Sequence, residues 1–489
     1  MTLTPAQLDR ACGVLIASAA GDALGAGYEF AHVTPDLEPT MIGGGLGGFA
    51  PGEWTDDTAQ AVAIAQAAAT GGDLRETAVL DAVAHGFARW YAQGPPDVGV
   101  QTSAVLGRAA AAAGPATPDA ATMTRAAQEV HEARGRSAGN GSLMRTGPVA
   151  LAYLDDPAAL AQAAMTVSGL THHEDDAREA CALWSLMVRH AVLHGTFPVF
   201  EDVAPWLPRA DLWRARLEEA QQRPPAAFAQ NTWSVGALQA AWSAITHTPV
   251  PAEPSRHLQD ALTTAIRIGR DTDTVAAIAG ALLGARWGAS AVPARWRRIL
   301  HGWPGIDERE LERLAVRIVT GGRGEKYGWP LVDHLDYRPL QYRPARAVVH
   351  PHDDGVILGA ATILDELPAQ VDAVVSLCRL GRRQVPPGVE HITFRLQDES
   401  DPASNPNLDA VLTDAAETIA DLRAHGQRVF VHCVAAYSRT PTVAIAYAMR
   451  RGVPLATAFD DVCRALPYAH PNEGFRAALT RLEGSLANA

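Results

Sequence analysis

Cysteine is scarce in this chain. Only Cys12, Cys181, Cys378, Cys433 and Cys463 occur in 489 residues. Their number is odd, their spacing is wide, and no CxxC is present. A disulfide framework and a structural zinc site are excluded on that ground, which points to a reducing compartment. Long apolar runs are missing too. None reaches the roughly 18 residues a membrane span needs, so no membrane partner is expected. The opening "MTLTPAQLDRACGVLIASAAGDALG" lacks a basic leader and meets a Gly-Asp early, unlike a signal peptide. The expected location is the cytoplasm, and the abundance of Ala, Arg and Pro suggests a bacterium with a GC-rich genome. Basic charge is also in deficit: 41 Lys and Arg stand against 54 Asp and Glu, a net of -13. That balance excludes general affinity for nucleic-acid backbones and suits a protein that collects cations.

What is present falls into two parts. The length suggests more than one domain. Residues 1–320 are rich in Ala and Leu, and runs such as "DLRETAVLDAVAHGFARWYAQ" and "SVGALQAAWSAITH" carry apolar residues near a 3.6-residue period. Many runs are apolar almost all round, which predicts inner helices of a large bundle. Residues 321–344 mix Gly, Pro and Tyr without periodicity and read as a linker. From 345 to 489, β-like runs ("GVILGA", "DAVVSLC", "HITFRL", "RVFVHC") alternate with helical ones. This predicts a small α/β domain with a mostly parallel central sheet.

Two segments of the first part share a pattern. "EWTDDTAQ" and "GRDTDTVAAIAG" each put carboxylates and threonines at the entrance of an apolar helix. One such segment is explained by the helix dipole alone, with Thr55 as N-cap and Asp56 and Asp57 in the first turn. If the two converge in the folded chain, four carboxylates share one partly desolvated place, where they repel unless a cation intervenes. Hard oxygen-ligated ions, two Mg²⁺ or Mn²⁺, resolve that conflict; no Cys or paired His motif favours zinc.

With "GDALGAGYEF", "GNGSLMRTGPVAL" and "THHEDDAREACALW" in order between and around them, these motifs resemble the ADP-ribosylglycohydrolases over residues 8–320. The resemblance implies an all-α fold and a binuclear site with Thr55, Asp56, Asp57, Asp271, Asp273 and Thr274 as ligands. It implies Glu29 as a mobile carboxylate, with Asp57 or Glu29 as the base. Gly139, Asn140, Gly141, Ser142 and Met144 correspond to a substrate-contacting loop, whose small residues and amides suit close approach of a diphosphate. Asp97 corresponds to a loop near the leaving group, and His172 stands near the site as a substrate-binding residue, not as a metal ligand. Trp233 is placed either by the ribose or in the core. The implied substrate is an ADP-ribosylated protein or small molecule, with ADP-ribose as product.

The second part carries Cys433, five residues, then Arg439 and Thr440, between a β-like run and a helix. This spacing curls backbone N–H groups around a phosphate, and the helix start and Arg439 favour its charge. With "PNEGF" further on, the stretch resembles the dual-specificity protein phosphatases. The resemblance implies Cys433 as nucleophile, Arg439 as phosphate clamp, Thr440 as thiolate stabiliser, and Asp398, or else Asp401, as general acid, on a phosphorylated substrate. One position departs from the pattern: Ala436 stands where that family has glycine. The alternative is therefore a sensor whose second domain binds phosphate without turnover.

Overall fold

The computed structural model describes residues 2–341, 346–466 and 468–486. Residues 342–344 of the expected linker, and residue 345 at the expected start of the second domain, lie outside them. The chain forms two compact units. The first is built mainly from Gln7–Val292 and Ile299–Arg323, the second mainly from Gly324 onward.

The first unit is helical, apart from a short antiparallel ribbon of β1 (His301–Gly302) and β2 (Ile306–Asp307). Its central helices, Pro5–Gly25, Asp56–Ala68, Asp175–His194, Ser234–His247 and Thr272–Trp287, are buried nearly all round. That explains why their sequences carry little amphipathic stripe. Helix Pro5–Gly25 has the length and apolarity of a membrane span, but it is a core helix here. The run from residue 73 enters its helix only at Thr77, because Asp73 first closes a turn on Arg75.

One packing detail positions the chemistry. Helices Pro5–Gly25 and Thr272–Trp287 meet backbone to backbone. A Cβ added at Gly21 would fall on the carbonyl of Ala276, one at Gly25 on the backbone of Asp273, and one at Gly280 on the carbonyl of Ala17. Only glycine permits this approach. It carries Asp22, near the end of the first helix, to the first turn of the second.

The second unit is a five-stranded sheet, order β3-β4-β7-β5-β6. The strands are β3 (Val348–His350), β4 (Asp353–Ala360), β5 (Ala373–Ser376), β6 (Glu390–Thr393) and β7 (Val429–Cys433). β3 pairs antiparallel with β4, and the other pairings are parallel. Alternation sorts the side chains: Val356, Leu358, Val429 and Val431 join one core, while Ile357, Val374 and Phe430 join another on the opposite face. Part of the expected linker packs against this unit. Trp329 is buried and donates from Nε1 to the Leu380 carbonyl (3.1 Å), and the Tyr337 hydroxyl donates to the Arg379 carbonyl (2.6 Å).

Candidate active sites

In the first unit the carboxylates gather where two helices begin and a third ends. Asp56 and Asp57 open helix Asp56–Ala68, and Asp271 and Asp273 flank the start of helix Thr272–Trp287. Glu29 follows the helix Pro5–Gly25 and its last turn. Two groups of carboxylate oxygens, Asp22–Asp57–Asp273 and Glu29–Asp271–Asp273, each lie within 4.8 Å of one another. They share Asp273.

Thr55 occupies the cap position but does not cap. Its hydroxyl donates to Asp57 Oδ2 (3.1 Å). The capping task falls to Asp22, which accepts from the N–H groups of Thr55 and Thr58 (2.9 Å each) and from the Thr58 hydroxyl (2.6 Å). A carboxylate on a neighbouring helix meets the orphan donors of the helix start, so the Thr55 hydroxyl is left to Asp57. Thr274 donates to Asp57 Oδ2 (3.3 Å). Asp271 accepts from Asn140 Nδ2 (2.7 Å), and its N–H reaches Asn231 Oδ1 (3.3 Å).

The electrostatics are unbalanced. Asp57 Oδ1 and Asp273 Oδ1 are buried with no hydrogen-bond partner among the described residues. Among the described residues no ion pair joins Asp22, Glu29, Asp56, Asp57, Asp271 or Asp273 to a Lys or Arg. Burial first, then mutual repulsion, pushes Asp56, Asp57 and Asp273 well above the ordinary carboxylate range. The same causes push Glu29 up to about 8. Burial also raises Asp97, whose charge acts on Glu29, Asp56 and Asp271. An acceptor-only cluster with orphaned oxygens fits a hard divalent cation.

The loop of small residues lies beside this cluster. Asn140 bonds Asp271 directly. His172 is buried, and Cβ atoms added at Gly139 and Gly141 would stand 3.3 and 3.6 Å from its Nε2. Ser142 points inward, accepting from Ser168 (2.9 Å) and Cys181 (3.4 Å). Met144 is buried and lines a small apolar cavity with Val14, Val62 and Leu311. Trp233 is not a core residue: it is 42% exposed and bridges to Gly139.

In the second unit Cys433 ends β7 beside Ala360 of β4, at the C-terminal edge of the parallel strands. The following loop turns through Ala436, whose φ is +58°. Glycine takes that conformation freely; alanine takes it at a cost of about 1–2 kcal/mol. Helix Arg439–Arg450 then begins, with its N-terminus at the loop. Arg439 Nη1 donates to the carbonyls of Leu377 (2.9 Å) and Leu396 (3.2 Å), which aims the guanidinium. Its Nε is buried without a hydrogen-bond partner, 3.8 Å from Asp398 Oδ2. The Thr440 hydroxyl is buried and turned to the Gly359 carbonyl (3.4 Å). Asp401 caps its own turn, accepting from the Ala403 N–H (2.9 Å). Burial drives the His432 ring down to about 3, so it stays neutral and bonds Ser376 (2.8 Å).

Sequence reasoning missed several residues. Asp22 sits in the quoted "GDALG", but its partners are remote in sequence. Gln60 and Arg145 lie in the quoted "EWTDDTAQ" and "GNGSLMRTGPVAL", where the sequence assigns them no role, and it does not single out Asn231. Asn472 ties the second site together: its N–H donates to Ser438 (3.3 Å) and its Nδ2 to Asp398 (3.2 Å).

Comparison with known proteins agrees with this division. Residues 3–327 match the family model described as ADP-ribosylglycohydrolase, and residues 369–484 match that of the dual specificity phosphatase catalytic domain. The chain is 32% identical over 349 residues to ADP-ribosylarginine hydrolase Tri1 of Pseudomonas putida (strain GB-1), across 68% of this chain and 83% of that protein. It is 37% identical over 136 residues to dual specificity phosphatase 28 of Homo sapiens, across 27% of this chain and 75% of that protein. A solved ADP-ribosylglycohydrolase-related protein complex is similar with a TM-score of 0.50 at 28% identity, covering 65% of this chain and 99% of that chain.

Proposed function

The chain belongs to the ADP-ribosylglycohydrolase family, and from that membership we propose that its first unit releases ADP-ribose from ADP-ribosylated arginine. The observation that carries the metal-dependent part of this reading is the pair of orphaned oxygens, Asp57 Oδ1 and Asp273 Oδ1, in a cluster with no cationic partner among the described residues; the arginine linkage is taken from the ADP-ribosylarginine hydrolase relative. Thr55, Asp56, Asp57, Asp271, Asp273 and Thr274 would hold two divalent ions, Mg²⁺ or Mn²⁺, with Asp22 and Glu29 beside them. Such ions, when bound, grip ribose hydroxyls and lower the pKa of a water.

The chain's own residues supply the rest. As the bond between the anomeric carbon and the guanidine nitrogen breaks, positive charge grows on the sugar, and the surrounding carboxylates stabilise it. Burial and the neighbouring carboxylates hold a proton on Glu29 up to about pH 8 in the metal-free site; with divalent ions bound beside it, Glu29 would lose that proton and keep its carboxylate as a base toward water. The attacking water gives its oxygen to the anomeric carbon, and a proton goes to the departing guanidine nitrogen. Asn140 keeps Asp271 in place through the 2.7 Å bond.

For the second unit the reading is phosphoester hydrolysis. Cys433 attacks phosphorus, Arg439 and the helix start hold the non-bridging oxygens, and Asp398 protonates the leaving oxygen. Water then cleaves the phosphocysteine. Ala436 favours a second reading of this unit, phosphate binding without turnover, because its methyl group stands in the left-handed turn of the loop. Trapping of a phosphocysteine in a single turnover separates the two.

The test for the first unit is a panel of arginine- and serine-linked ADP-ribosylated proteins, each in Mg²⁺ and in EDTA. Release from the arginine linkage in Mg²⁺ alone is expected. Release only from serine would reassign the linkage, and release in EDTA would remove the metals from the account.

A further inference from the structure

Arg145 is a buried charged group of the first unit that the chemistry above does not use. It is 1% exposed, lies over the Phe87 ring at 4.3 Å, and makes no ion pair among the described residues. Its Nη1 donates to Gln60 Oε1 (2.5 Å) and its Nη2 to Thr171 Oγ1 (2.5 Å). Each partner passes the contact on. Gln60 Nε2 donates to Asp56 Oδ2 (2.9 Å), and Thr171 Oγ1 meets His172 Nδ1 (2.8 Å). A buried chain thus runs Asp56–Gln60–Arg145–Thr171–His172, from a carboxylate of the cluster to the imidazole beneath Gly139 and Gly141.

The direction of every bond follows from its centre. A guanidinium only donates. Gln60 therefore turns its oxygen to Arg145, which sends its NH₂ to Asp56. Thr171 accepts from Arg145, so its hydroxyl proton is free to donate. His172 Nδ1 is the only acceptor it meets among the described residues. An Nδ1 that accepts leaves the proton of the neutral ring on Nε2. Burial, with the Arg145 charge behind it, keeps the ring neutral by holding its pKa well below the ordinary value. His172 Nε2 has no protein partner among the described residues and faces the backbone of the small-residue loop.

We propose that Arg145 is a positioning residue that sets bond polarity at both ends of this chain, so that His172 presents an Nε2–H donor to an acceptor oxygen of the bound ADP-ribosyl group while Gln60 holds Asp56. The ligand half of this inference rests on the functional reading above; the polarity half does not.

The experiment uses the full chain with ¹⁵N-labelled histidine. The nitrogen shifts of His172, assigned by the signal lost in His172→Gln, report which ring nitrogen carries the proton. Wild type is expected to show a protonated Nε2 and a bare Nδ1 without any ligand. Arg145→Lys, which keeps a donor-only group, retains that pattern; Arg145→Met loses it. Thr171→Val removes only the hydroxyl and loses it too, which keeps the test usable should Arg145→Met fail to fold. ADP-ribose binding in Mg²⁺ weakens by roughly tenfold in Thr171→Val, the worth of one hydrogen bond. A protonated Nδ1 in wild type, or an unchanged pattern in both Arg145→Met and Thr171→Val, would overturn the proposal. A changed tautomer with unchanged ADP-ribose affinity would overturn its ligand half. Wild type that binds no ADP-ribose would sink the functional reading, and with it the ligand half, while the spectrum alone still decides the polarity.

Discussion

The two units place their reactive groups in the same way and with opposite sign. In the first, carboxylates stand at the starts of helices Asp56–Ala68 and Thr272–Trp287. In the second, Arg439 opens helix Arg439–Arg450 behind the Cys433 loop. Each site contains buried atoms with no partner. Among the described residues, those of the carboxylate cluster itself are acceptors without a hydrogen bond, Asp57 Oδ1 and Asp273 Oδ1, although Arg145 Nε, linked to Asp56 through Gln60, is an orphaned donor. At the Cys433 loop the atom without a hydrogen bond is a donor, Arg439 Nε, 3.8 Å from Asp398 Oδ2. A buried polar group without a partner is costly, so an orphan of either kind marks what is missing. Orphaned acceptors call for cations, and an orphaned donor beside a helix start calls for an anion. A helix start alone does not decide this, because it serves both.

The largest effect that would sharpen this contrast is on turnover. Asp273→Ala removes the carboxylate shared by both oxygen groups, and ADP-ribose release should fall by at least about a hundredfold. Phosphoester hydrolysis measured on the same variant should not change. Cys433→Ser should do the reverse: no phosphoester turnover, unaltered ADP-ribose release. Loss of both activities in either variant would break the separation of the two sites.

A smaller effect concerns pH. Glu29 has its folded-state pKa raised to about 8 from an ordinary value of 4.5. Between those limits the unfolded chain has released the proton and the metal-free folded chain still binds it, so metal-free stability falls as pH rises. A divalent cation replaces that proton, and its stabilisation should grow over the same window. Thermal melts in EDTA should therefore show a lower midpoint at pH 8 than at pH 6, and Mg²⁺ should recover more at pH 8. A flat profile in EDTA would contradict the unbalanced-charge account.

Smaller still are two stability effects. Asp22→Ala leaves the Thr55 and Thr58 N–H groups without their acceptor, at a cost of about 1–3 kcal/mol for each donor left unsatisfied, read by denaturant unfolding. In the second unit, Ala436→Gly relieves the left-handed backbone at φ +58° and should stabilise that unit by about 1 kcal/mol. Faster phosphoester turnover in Ala436→Gly would identify the methyl group as a brake, whereas unchanged turnover would leave the loop's shape, already present, as the relevant feature.

Much of both sites is legible in sequence because the information is local. Asp56 with Asp57, Asp271 with Asp273, and Cys433 with Arg439 lie within a turn or two of each other, at boundaries marked by composition. The alternation of the strands likewise sorts the two sheet faces. What escapes is set by packing between distant elements. Asp22 caps a helix that begins only at Asp56, and the glycine contact that delivers it joins segments far apart in the chain. Thr55 reads as a cap because its type and place are right; only the neighbouring helix reveals that Asp22 does the work. Arg145 and Gln60 stand inside two of the quoted motifs but 85 residues apart, and nothing local shows that they bond each other. Ser142 and Met144 share a motif with Asn140, yet Ser142 bonds Ser168 and Cys181 and Met144 lines an apolar cavity, contacts that only the folded chain reveals.

The most direct test of the charge contrast is a calorimetric titration of Mg²⁺ or Mn²⁺ into the full chain, repeated with Asp273→Ala and with Cys433→Ser. The account predicts two ions bound per wild-type chain, binding lost in Asp273→Ala, and binding unchanged in Cys433→Ser. Wild type that takes up no divalent ion, or uptake indifferent to Asp273, would contradict it.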